Sequence, residues 1–339
     1  MSFNPTKIEW ADVTWNPVTG CAHGCPYCYA RRIAKRFEPR IDETPLETPS
    51  RAFESHGVMC YELDHAVKLS GNDGCATRST PYPKGFSPTL HRHLLDEPEK
   101  TLTPARVFVG SMCDLFGDWV PDSWISEVFE ACKRAPHHVY MFLSKNPQRY
   151  IDLAQAGKLP TEPNFWYGST ITGPDMPFFF WDKANTFVSV EPLLEPFSAD
   201  ATGDENPFER VGWVITGAMT GPRSKKHQPQ REWVEAIVRK AREAGTAVFI
   251  KDSLKPIWGD ELIQELPEGM QDFPKAKVTI PHCKECEHRE ETPQGRRGTA
   301  IACQIGWEAM GYDDRPARHV PGRYSRTSPP WCPKRRGGK

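Results

Sequence analysis

Short apolar runs recur along the first three-quarters of the chain, with helical or irregular segments between them. Most are apolar through their whole length, which is typical of parallel strands that are covered on both faces. Strand–helix alternation predicts an α/β fold, and the number of strands suits a full or partial parallel barrel. The seven runs are residues 9–17, 105–111, 138–144, 165–171, 186–192, 212–218 and 247–253.

Two of the intervening segments have the apolar spacing of amphipathic helices, residues 123–135 and 231–245, and Gly245 is placed to end the second. In parallel α/β folds the functional side chains lie at the carboxyl ends of the strands. We therefore expect a site at that edge, where the candidate polar residues follow predicted strands: Ser111, Asp114, Ser144, Lys145, Thr170, Thr172, Glu191, Thr216, Lys251 and Asp252.

Two regions interrupt this alternation. Residues from about 39 to 103 are rich in proline, histidine and glycine with little periodicity, which predicts a long insertion over the mouth of the barrel. From about residue 273 the chain is polar and rich in cysteine and arginine. We predict a barrel over residues 1–272 and a small basic, cysteine-rich, metal-binding module over residues 273–339.

Composition narrows the function classes. The net charge of −1 over 339 residues argues against binding through a global positive field, although a local basic surface is compatible with it. The first residues contain no apolar signal-peptide core, and no run approaches eighteen apolar residues, so we expect neither export nor a membrane span. In the cytoplasm expected for such a chain, the eleven cysteines are better metal ligands than disulfide partners.

Three cysteines fall within the stretch GCAHGCPYCYARR, directly after the first predicted strand: Cys21, Cys25 and Cys28. Three thiolates from one tight loop can hold three irons of a [4Fe-4S] cluster and leave the fourth open to a small molecule. Structural zinc and ordinary electron-transfer clusters usually take four protein ligands. The alternatives are chance clustering and a zinc site completed by His23 or a distant residue. His23 lies between the first two cysteines, where it is poorly placed to close the same tetrahedron.

The segment CAHGCPYCYA resembles the CxxxCxxC signature of the radical S-adenosylmethionine (radical SAM) superfamily. Further segments are similar, in the same order, to a phage and bacterial family of radical SAM-type proteins, and together they cover most of residues 5–265. They read NPVTGCAHGCPYCYA, VFVGSMCDLFGDWVP, FLSKNPQRY, WYGSTIT, FVSVEPLLEPF and WVITGAMTGPRSKKHQP.

The resemblance implies a partial (β/α)6-type TIM barrel, the radical SAM fold. It also implies a [4Fe-4S] cluster whose open iron is chelated by the amino and carboxylate groups of S-adenosyl-L-methionine. Reductive cleavage of SAM then yields methionine and a 5′-deoxyadenosyl radical, which takes hydrogen from a substrate C–H bond. Such chemistry needs an external electron donor such as flavodoxin or ferredoxin.

In many relatives the second strand ends in a GGE-like motif that contacts the amino group of SAM. Here the segment reads Gly110-Ser111-Met112-Cys113-Asp114, so the motif differs, and Ser111 and Asp114 are the candidates for that contact. Asp114 has the alternative of opening the loop or capping a helix. The remaining cofactor-binding candidates at the strand ends are Thr170, Glu191 and Gly217.

Three residues are candidates for catalysis: Cys113, Lys145 and Glu191. We expect Glu191 to point into the mouth with a ribose hydroxyl, an ammonium group or Lys145 as its partner. Lys145 and Lys251 each close a strand and could bind a carboxylate or phosphate, or be ordinary surface lysines. Cys113 could donate a hydrogen atom, or be a structural thiol.

The C-terminal cysteines suit a closed four-thiolate site, introduced by a CxxC pair: Cys283, Cys286, Cys303 and Cys332. Zinc and an auxiliary [4Fe-4S] cluster both fit this spacing, with His282, His288 and His319 as possible substitute ligands.

Basic side chains with interspersed aromatics in the same module suit phosphate contacts and base stacking. A second basic run, residues 222–231, follows the sixth predicted strand. The candidates for nucleic-acid contact are Arg223, Lys225, Lys226, Arg323 and Arg326. A solvated tail is the alternative for the terminal KRRGGK.

We therefore expect a radical SAM enzyme that acts on nucleic acid. Some phage proteins that resemble it are associated with thymidine hypermodification, which implies isomerisation of an N-linked glycyl-thymidine to its C-linked form, in the host cytoplasm. The alternatives are DNA-lesion repair resembling that of spore photoproduct, tRNA or peptide modification, and a non-enzymatic, zinc-stabilised nucleic-acid-binding protein.

Overall fold

A computed structural model describes residues 3–70, 76–197, 206–221 and 224–270, together with the backbone of three strands between residues 289 and 320. The chain divides into two compact units, Met1–Lys275 and Ala276–Lys339. No described helix has both the length and the apolar character that crossing a membrane requires.

The secondary structure of the first unit is as follows. The strands are β1 Asn4–Pro5, β2 Val13–Trp15, β3 Val18–Thr19, β4 Thr44–Pro45, β5 Arg51–Ser55, β6 Val58–Leu63, β7 Val67–Ser70, β8 Ala76–Thr80, β9 Thr89–His91, β10 Arg106–Val109, β11 Val139–Ser144, β12 Phe165–Ile171, β13 Asn185–Val190, β14 Trp213–Thr216 and β15 Ala247–Ile250. The helices are α1 Tyr29–Phe37, α2 Glu97–Lys100, α3 Asp122–Arg134, α4 Pro147–Gln155, α5 Arg231–Glu243 and α6 Lys255–Trp258, with 3-10 turns at Arg92–Leu94, Pro207–Arg210, Ser224–Lys226 and Asp252–Leu254.

The largest sheet has eight strands in the order β1-β2-β10-β11-β12-β13-β14-β15. From β2 onward every neighbouring pair is parallel, and only the short β1 runs antiparallel to β2. All seven runs identified from the sequence contain one of these parallel strands. The prediction of an α/β fold with a parallel sheet is therefore confirmed.

The two helices predicted from periodicity are also confirmed, as α3 and α5. Helix α5 buries Val234, Ile237 and Ala241 in a cluster that includes Val214 of β14 and Val248 of β15. Gly245 follows the helix with a φ of +67°, a left-handed conformation that favours glycine and ends the helix.

Aromatic side chains fill the space inside the curved sheet. Trp10, from the segment before β2, lies 4.8 Å from Phe108 of β10 and 6.2 Å from Trp213 of β14, measured between ring centroids. In a flat sheet, strands four positions apart are separated by about 19 Å. Because one indole ring contacts both strands, the sheet must curl strongly around this cluster. The cluster, which also contains Trp166 and Phe249, forms a packed layer below the strand ends.

The predicted insertion has more regular structure than its sequence suggested. It forms most of a four-stranded sheet, β3-β9-β6-β5, and a three-stranded sheet, β4-β7-β8. The sequence shows little periodicity here because these strands are only two to six residues long and lie between turns. A strand this short gives too few alternations to detect. Pairing of β3 with β9 joins the insertion to the chain just before Cys21.

The second unit contains an antiparallel sheet of β16 Arg289–Pro293, β17 Thr299–Cys303 and β18 Arg318–Val320. Cys303 is the last residue of β17, where only the backbone is described. The other candidates in this module lie outside the described residues: Cys283, Cys286, Arg323, Arg326 and Cys332. The second metal site therefore stays a prediction.

Candidate functional site

A cavity of about 660 Å³ lies at the carboxyl ends of the parallel strands. Its wall combines the three-cysteine loop with residues that follow strands β10 to β15. This is the edge at which the polar residues were expected to gather. The predicted residues that line it are Cys21, Cys25, Cys28, Ser111, Cys113, Asp114, Lys145, Thr170, Glu191, Lys251 and Asp252.

The three-cysteine loop runs directly into α1. Cys28 is the N-cap of this helix, and its thiol accepts a hydrogen bond from Arg31 N–H at 3.3 Å. At the other end of the loop, Gly20 has a φ of +87°, and a Cβ built there would lie 2.2 Å from Ser87 O of the insertion. Only glycine allows the two backbones to approach so closely. The loop is thus fixed by a helix at one end and by the insertion at the other.

Burial raises the pKa of the Cys21 thiol to about 12. All three triad thiols are half-buried. Among the described residues no lysine, arginine or histidine side chain donates a hydrogen bond to them. In the described part of the chain, no group of three His, Cys, Asp or Glu side chains is arranged to hold a single metal ion. A cubic cluster takes one thiolate per iron and does not need the sulfurs to meet at one point. Three thiols from one loop are therefore a donor set compatible with a [4Fe-4S] cluster.

Asp114 joins the triad loop to two strand ends. Its Oδ2 lies 2.7 Å from His23 Nε2 and accepts a hydrogen bond from Lys145 N–H at 2.9 Å. Its Oδ1 accepts hydrogen bonds from the Ser144 hydroxyl at 2.8 Å and from Phe116 N–H at 3.1 Å. Burial alone would raise the pKa of Asp114, but the hydrogen bond and charge of His23, with Lys145 N–H and Ser144, hold it below its ordinary value. Four hydrogen-bond donors thus occupy both carboxylate oxygens of Asp114. This side chain therefore holds the triad loop against the neighbouring strand ends.

Ser111 has a freer environment than Asp114. Its hydroxyl donates to Asn16 Oδ1 at 3.2 Å, which leaves the hydroxyl oxygen able to accept. Its carbonyl accepts a hydrogen bond from the Tyr29 hydroxyl at 2.7 Å, which brings α1 against this loop. Of the two candidates for an ammonium contact, Ser111 is therefore the one with acceptor capacity to spare.

Cys113 lies beside the triad. It forms an isolated parallel bridge with Gly20, and its N–H donates to Gly110 O at 3.1 Å. Gly110 has a φ of +79°, and a Cβ built there would lie 2.9 Å from the Cys113 sulfur. Burial raises the pKa of the Cys113 thiol well above its ordinary value. Thr170, the other small polar candidate, is buried in β12 at the cavity wall.

A second part of the cavity wall, which contains no triad cysteine, holds an ion-pair cluster; we call this part the far end and the triad side the near end. Lys251 Nζ lies 2.6 Å from Glu191 Oε1 and 2.8 Å from Glu191 Oε2. It also lies 3.9 Å from Glu9 Oε2, and Glu9 Oε1 accepts a hydrogen bond from Asp252 N–H at 3.0 Å. Glu191 thus pairs with Lys251, whereas Lys145 was the lysine named from the sequence as its possible partner.

Gly217 leaves room for that pair. A Cβ at this position would lie 3.0 Å from Glu191 Oε1 and 3.1 Å from Lys251 Cδ. The side chains therefore pack directly on the backbone that follows β14. Gly217 is placed to shape the cavity wall through this contact.

Lys145 also lies in the wall, in an environment that differs from that of Lys251. Only its backbone N–H has a partner, Asp114, and no carboxylate of the described residues pairs with its ammonium group. Lys225 and Lys226 are exposed in the 3-10 turn after β14, while Arg223 lies outside the described residues.

Sequence reasoning missed the segment from Thr6 to Trp10, which lines the cavity although it precedes β2. No motif marks Glu9 or Trp10. It also missed Tyr29 and Phe86, which lie in the wall next to the triad. Tyr29 directly follows Cys28 in the sequence, and this position next to the triad could have marked it as a wall residue.

Fold and site together define an α/β protein with a thiol-lined cavity at the carboxyl ends of a parallel sheet. The chain belongs to the family described as "Protein of unknown function (DUF5131)", whose model matches residues 5–268. Among solved structures it is similar to a double mutant of spore photoproduct lyase with bound AdoMet and dinucleoside spore photoproduct. The identity is 11% over 91% of this chain and 73% of that chain, with a TM-score of 0.35. A likeness at this level does not by itself establish a shared fold. No curated protein matches the chain.

Proposed function

We propose that this protein is a radical SAM enzyme, in which Cys21, Cys25 and Cys28 hold a [4Fe-4S] cluster and SAM binds in the adjoining cavity. One observation carries the proposal: three thiols from a single loop line the same cavity as the polar side chains that follow the parallel strands. When bound, the cluster would supply the low-potential electron that cleaves SAM, and so a hydrogen-abstracting radical. The strong curvature of the sheet around Trp10 supports a partial (β/α)6 barrel.

Within this proposal the chain's own side chains bind and orient. Ser111 and Thr170 offer hydroxyl groups to polar atoms of a ligand, and Lys145 offers an ammonium group to a carboxylate. Glu191, fixed by Lys251, presents its carboxylate at the far end of the cavity. Trp10 and Phe108 close the cavity on its apolar side and exclude water from it.

Cys113 is our candidate for returning a hydrogen atom to the substrate radical, with the thiyl radical left on its sulfur reduced by one electron from the external donor and one proton. Its thiol lines the cavity beside Cys21, whereas Cys132 is buried within α3 in the core. A role of this kind needs an S–H group that reaches the reaction volume. Cys113 meets that requirement because it lies in the cavity wall.

The specific reaction rests on the sequence resemblance. We propose a nucleic-acid-linked substrate and, as the leading case, isomerisation of N-linked glycyl-thymidine to the C-linked form. A radical at the glycyl α-carbon is stabilised by both its amino and carboxyl substituents, which suits a migration. An external donor such as flavodoxin or ferredoxin would supply the electrons.

The test is anaerobic reconstitution followed by iron, sulfide and zinc analysis, and by measurement of 5′-deoxyadenosine formed from SAM. We expect about four irons that depend on the triad and 5′-deoxyadenosine formation under reducing conditions. DNA that contains N-glycyl-thymidine should yield an isomer of equal mass. Zinc at the triad, or no 5′-deoxyadenosine with any reductant, would refute the enzyme assignment. A reaction without that isomer would refute only the leading substrate.

A further inference from the structure

Helix α1 is strongly basic on its exposed side. Its sequence, YARRIAKRF, contains four cations and no acidic residue. Arg31 is engaged near the triad, because its guanidinium donates to Cys21 O at 3.0 Å and lies 5.0 Å from the centre of the Phe86 ring. Arg32, Lys35 and Arg36 are exposed and form no ion pair with any residue that the structure describes.

This arrangement is unfavourable for an isolated helix. The first turn of a helix favours acidic groups, because the N-terminal end of the macrodipole is positive. Here the first turn contains Arg31 and Arg32 instead. Arg32 and Arg36 are also four residues apart, a spacing at which like charges repel each other. The dipole accounts for Lys35 and Arg36 in the last turn but not for Arg32. An anionic partner would account for all three.

The basic side of α1 adjoins a second exposed basic segment. A Cβ built at Gly221 would lie 2.8 Å from both terminal nitrogens of Arg32, so the guanidinium packs on the backbone after β14. Three residues later the 3-10 turn Ser224–Lys226 exposes Lys225 and Lys226. We call Arg32, Lys35, Arg36, Lys225 and Lys226 the cationic rim.

The same two elements also line the cavity. Tyr29 and Ala30 of α1 lie in its wall, as do Met219 and Thr220, just before Gly221. A chain of negative charges bound along the rim would therefore pass beside the cavity. Tyr29 has 44% of its surface exposed at this point and can present an aromatic face to a base.

We propose that the cationic rim binds the phosphate backbone of DNA and so brings a nucleotide to the cavity. Ala30 and Ala34 of α1 are buried against Tyr82 and Met112, and the exposed aromatic side chains of the helix, Tyr29 and Phe37, stand at its two ends. Backbone binding does not depend on the proposed radical chemistry. Delivery of a nucleotide to the cavity does rest on that proposed function.

The experiment compares two charge-matched triple variants of the full-length, reconstituted protein. The rim variant is Arg32→Gln/Lys35→Gln/Arg36→Gln. The control is Lys183→Gln/Arg239→Gln/Lys240→Gln, which removes equal charge near the start of β13 and in the last turns of α5. Fluorescence anisotropy measures the affinity for single-stranded and duplex oligonucleotides between 50 and 200 mM salt, the range over which backbone contacts show their salt dependence. Circular dichroism establishes that both variants are folded.

We expect the rim variant to bind single-stranded DNA about tenfold or more weakly, with the slope of log K against log salt reduced by about 2, since each phosphate contact contributes about 0.7. The control should bind like the unmodified protein. Equal affinity and slope in both variants would overturn the proposal. So would binding to vesicles of anionic lipid, or to polyglutamate, that matches binding to DNA and falls equally in the rim variant. Anisotropy requires no SAM cleavage, so DNA binding and radical chemistry can fail separately.

Discussion

The two ends of the cavity differ in whether their charged or reactive side chains are paired with one another. At the far end, Lys251 lies between Glu191 and Glu9, and Glu9 also accepts a hydrogen bond from Asp252 N–H, so each charged group has a partner within the protein. At the near end, the three thiols have no cationic side chain of the described residues as a hydrogen-bond donor. Their loop is nevertheless held firmly through His23 and Asp114.

This difference separates groups that shape a site from groups that need a ligand. A self-satisfied charge cluster is stable without anything bound, because each charge already has a partner. Half-buried thiols without a cationic partner become favourably placed when a metal binds them as thiolates. The near end is therefore where a cluster belongs, and the far end forms a prearranged polar wall.

The largest effect should follow from removal of any triad thiol. Cys21→Ala, Cys25→Ala and Cys28→Ala should each lose the triad-dependent iron, about four atoms, and all 5′-deoxyadenosine formation. Cys113→Ala is the control from the same cavity and should retain iron, because we assign Cys113 no cluster iron. Iron and sulfide analysis with electron paramagnetic resonance measures this. Iron loss in Cys113→Ala would make it a fourth ligand and remove the open coordination site.

Asp114→Asn tests whether the near end is held by its carboxylate. The amide would turn two N–H groups toward existing donors in a buried position, so the free energy of unfolding should fall by about 3 kcal/mol. Asp118→Asn is the control, because it makes the same change in an exposed residue of the same loop. Its effect should stay within about 0.5 kcal/mol. Urea denaturation monitored by fluorescence gives both values, and equal losses would contradict the anchoring role.

Lys251→Met tests whether the ion pairs at the far end stabilise the folded protein. It leaves Glu191 without its partner, and the free energy of unfolding should fall by about 2 kcal/mol, between the values for exposed and fully buried pairs. Lys251→Met/Glu191→Gln should recover part of this loss, because position 191 no longer carries an unpaired charge. Lys255→Met, which breaks the exposed pair with Asp252, should cost about 0.5 kcal/mol or less. If the double variant is no more stable than Lys251→Met, the pair is not the source of the loss.

The last prediction concerns the support behind the triad loop. His91 Nε2 lies 2.9 Å from Thr19 Oγ1, and burial lowers the pKa of His91 to about 3 from 6.5. Between these values the unfolded chain binds more protons than the folded one, so stability declines as the pH falls from about 6.5. His91→Gln should remove up to about 1.4 kcal/mol per pH unit of that slope. Unfolding free energies measured from pH 7 to pH 4 test this, and an unchanged slope would contradict the buried, neutral state.

Much of the fold could be predicted, because buried parallel strands appear in the sequence as continuous apolar runs. Each of the seven runs contains a strand of the large sheet, and α3 and α5 follow from their periodicity. The strands inside the predicted insertion could not be identified, because they are short and include β6 and β9, which pair across about thirty residues. Pairing over such distances leaves little local trace.

The site divides in the same way. Lys145, Glu191 and Lys251 could be selected because each directly follows a strand, and parallel strands bring such positions to one edge. The partners could not be assigned: Glu191 pairs with Lys251, and Asp114 with His23. Pairing depends on side-chain reach across the cavity, which strand order alone does not fix.

By itself, the sequence determined the α/β class, the edge at which reactive groups gather and the three-thiol loop, because each of these depends on local pattern and spacing. Only the tertiary structure decided that Glu9 and Trp10 enter the cavity, that Asp114 is saturated by four donors, and that Arg32 packs on Gly221 beside Lys225 and Lys226. These contacts join residues far apart in the chain. They exist only because the curled sheet brings its first and last strands toward a common interior.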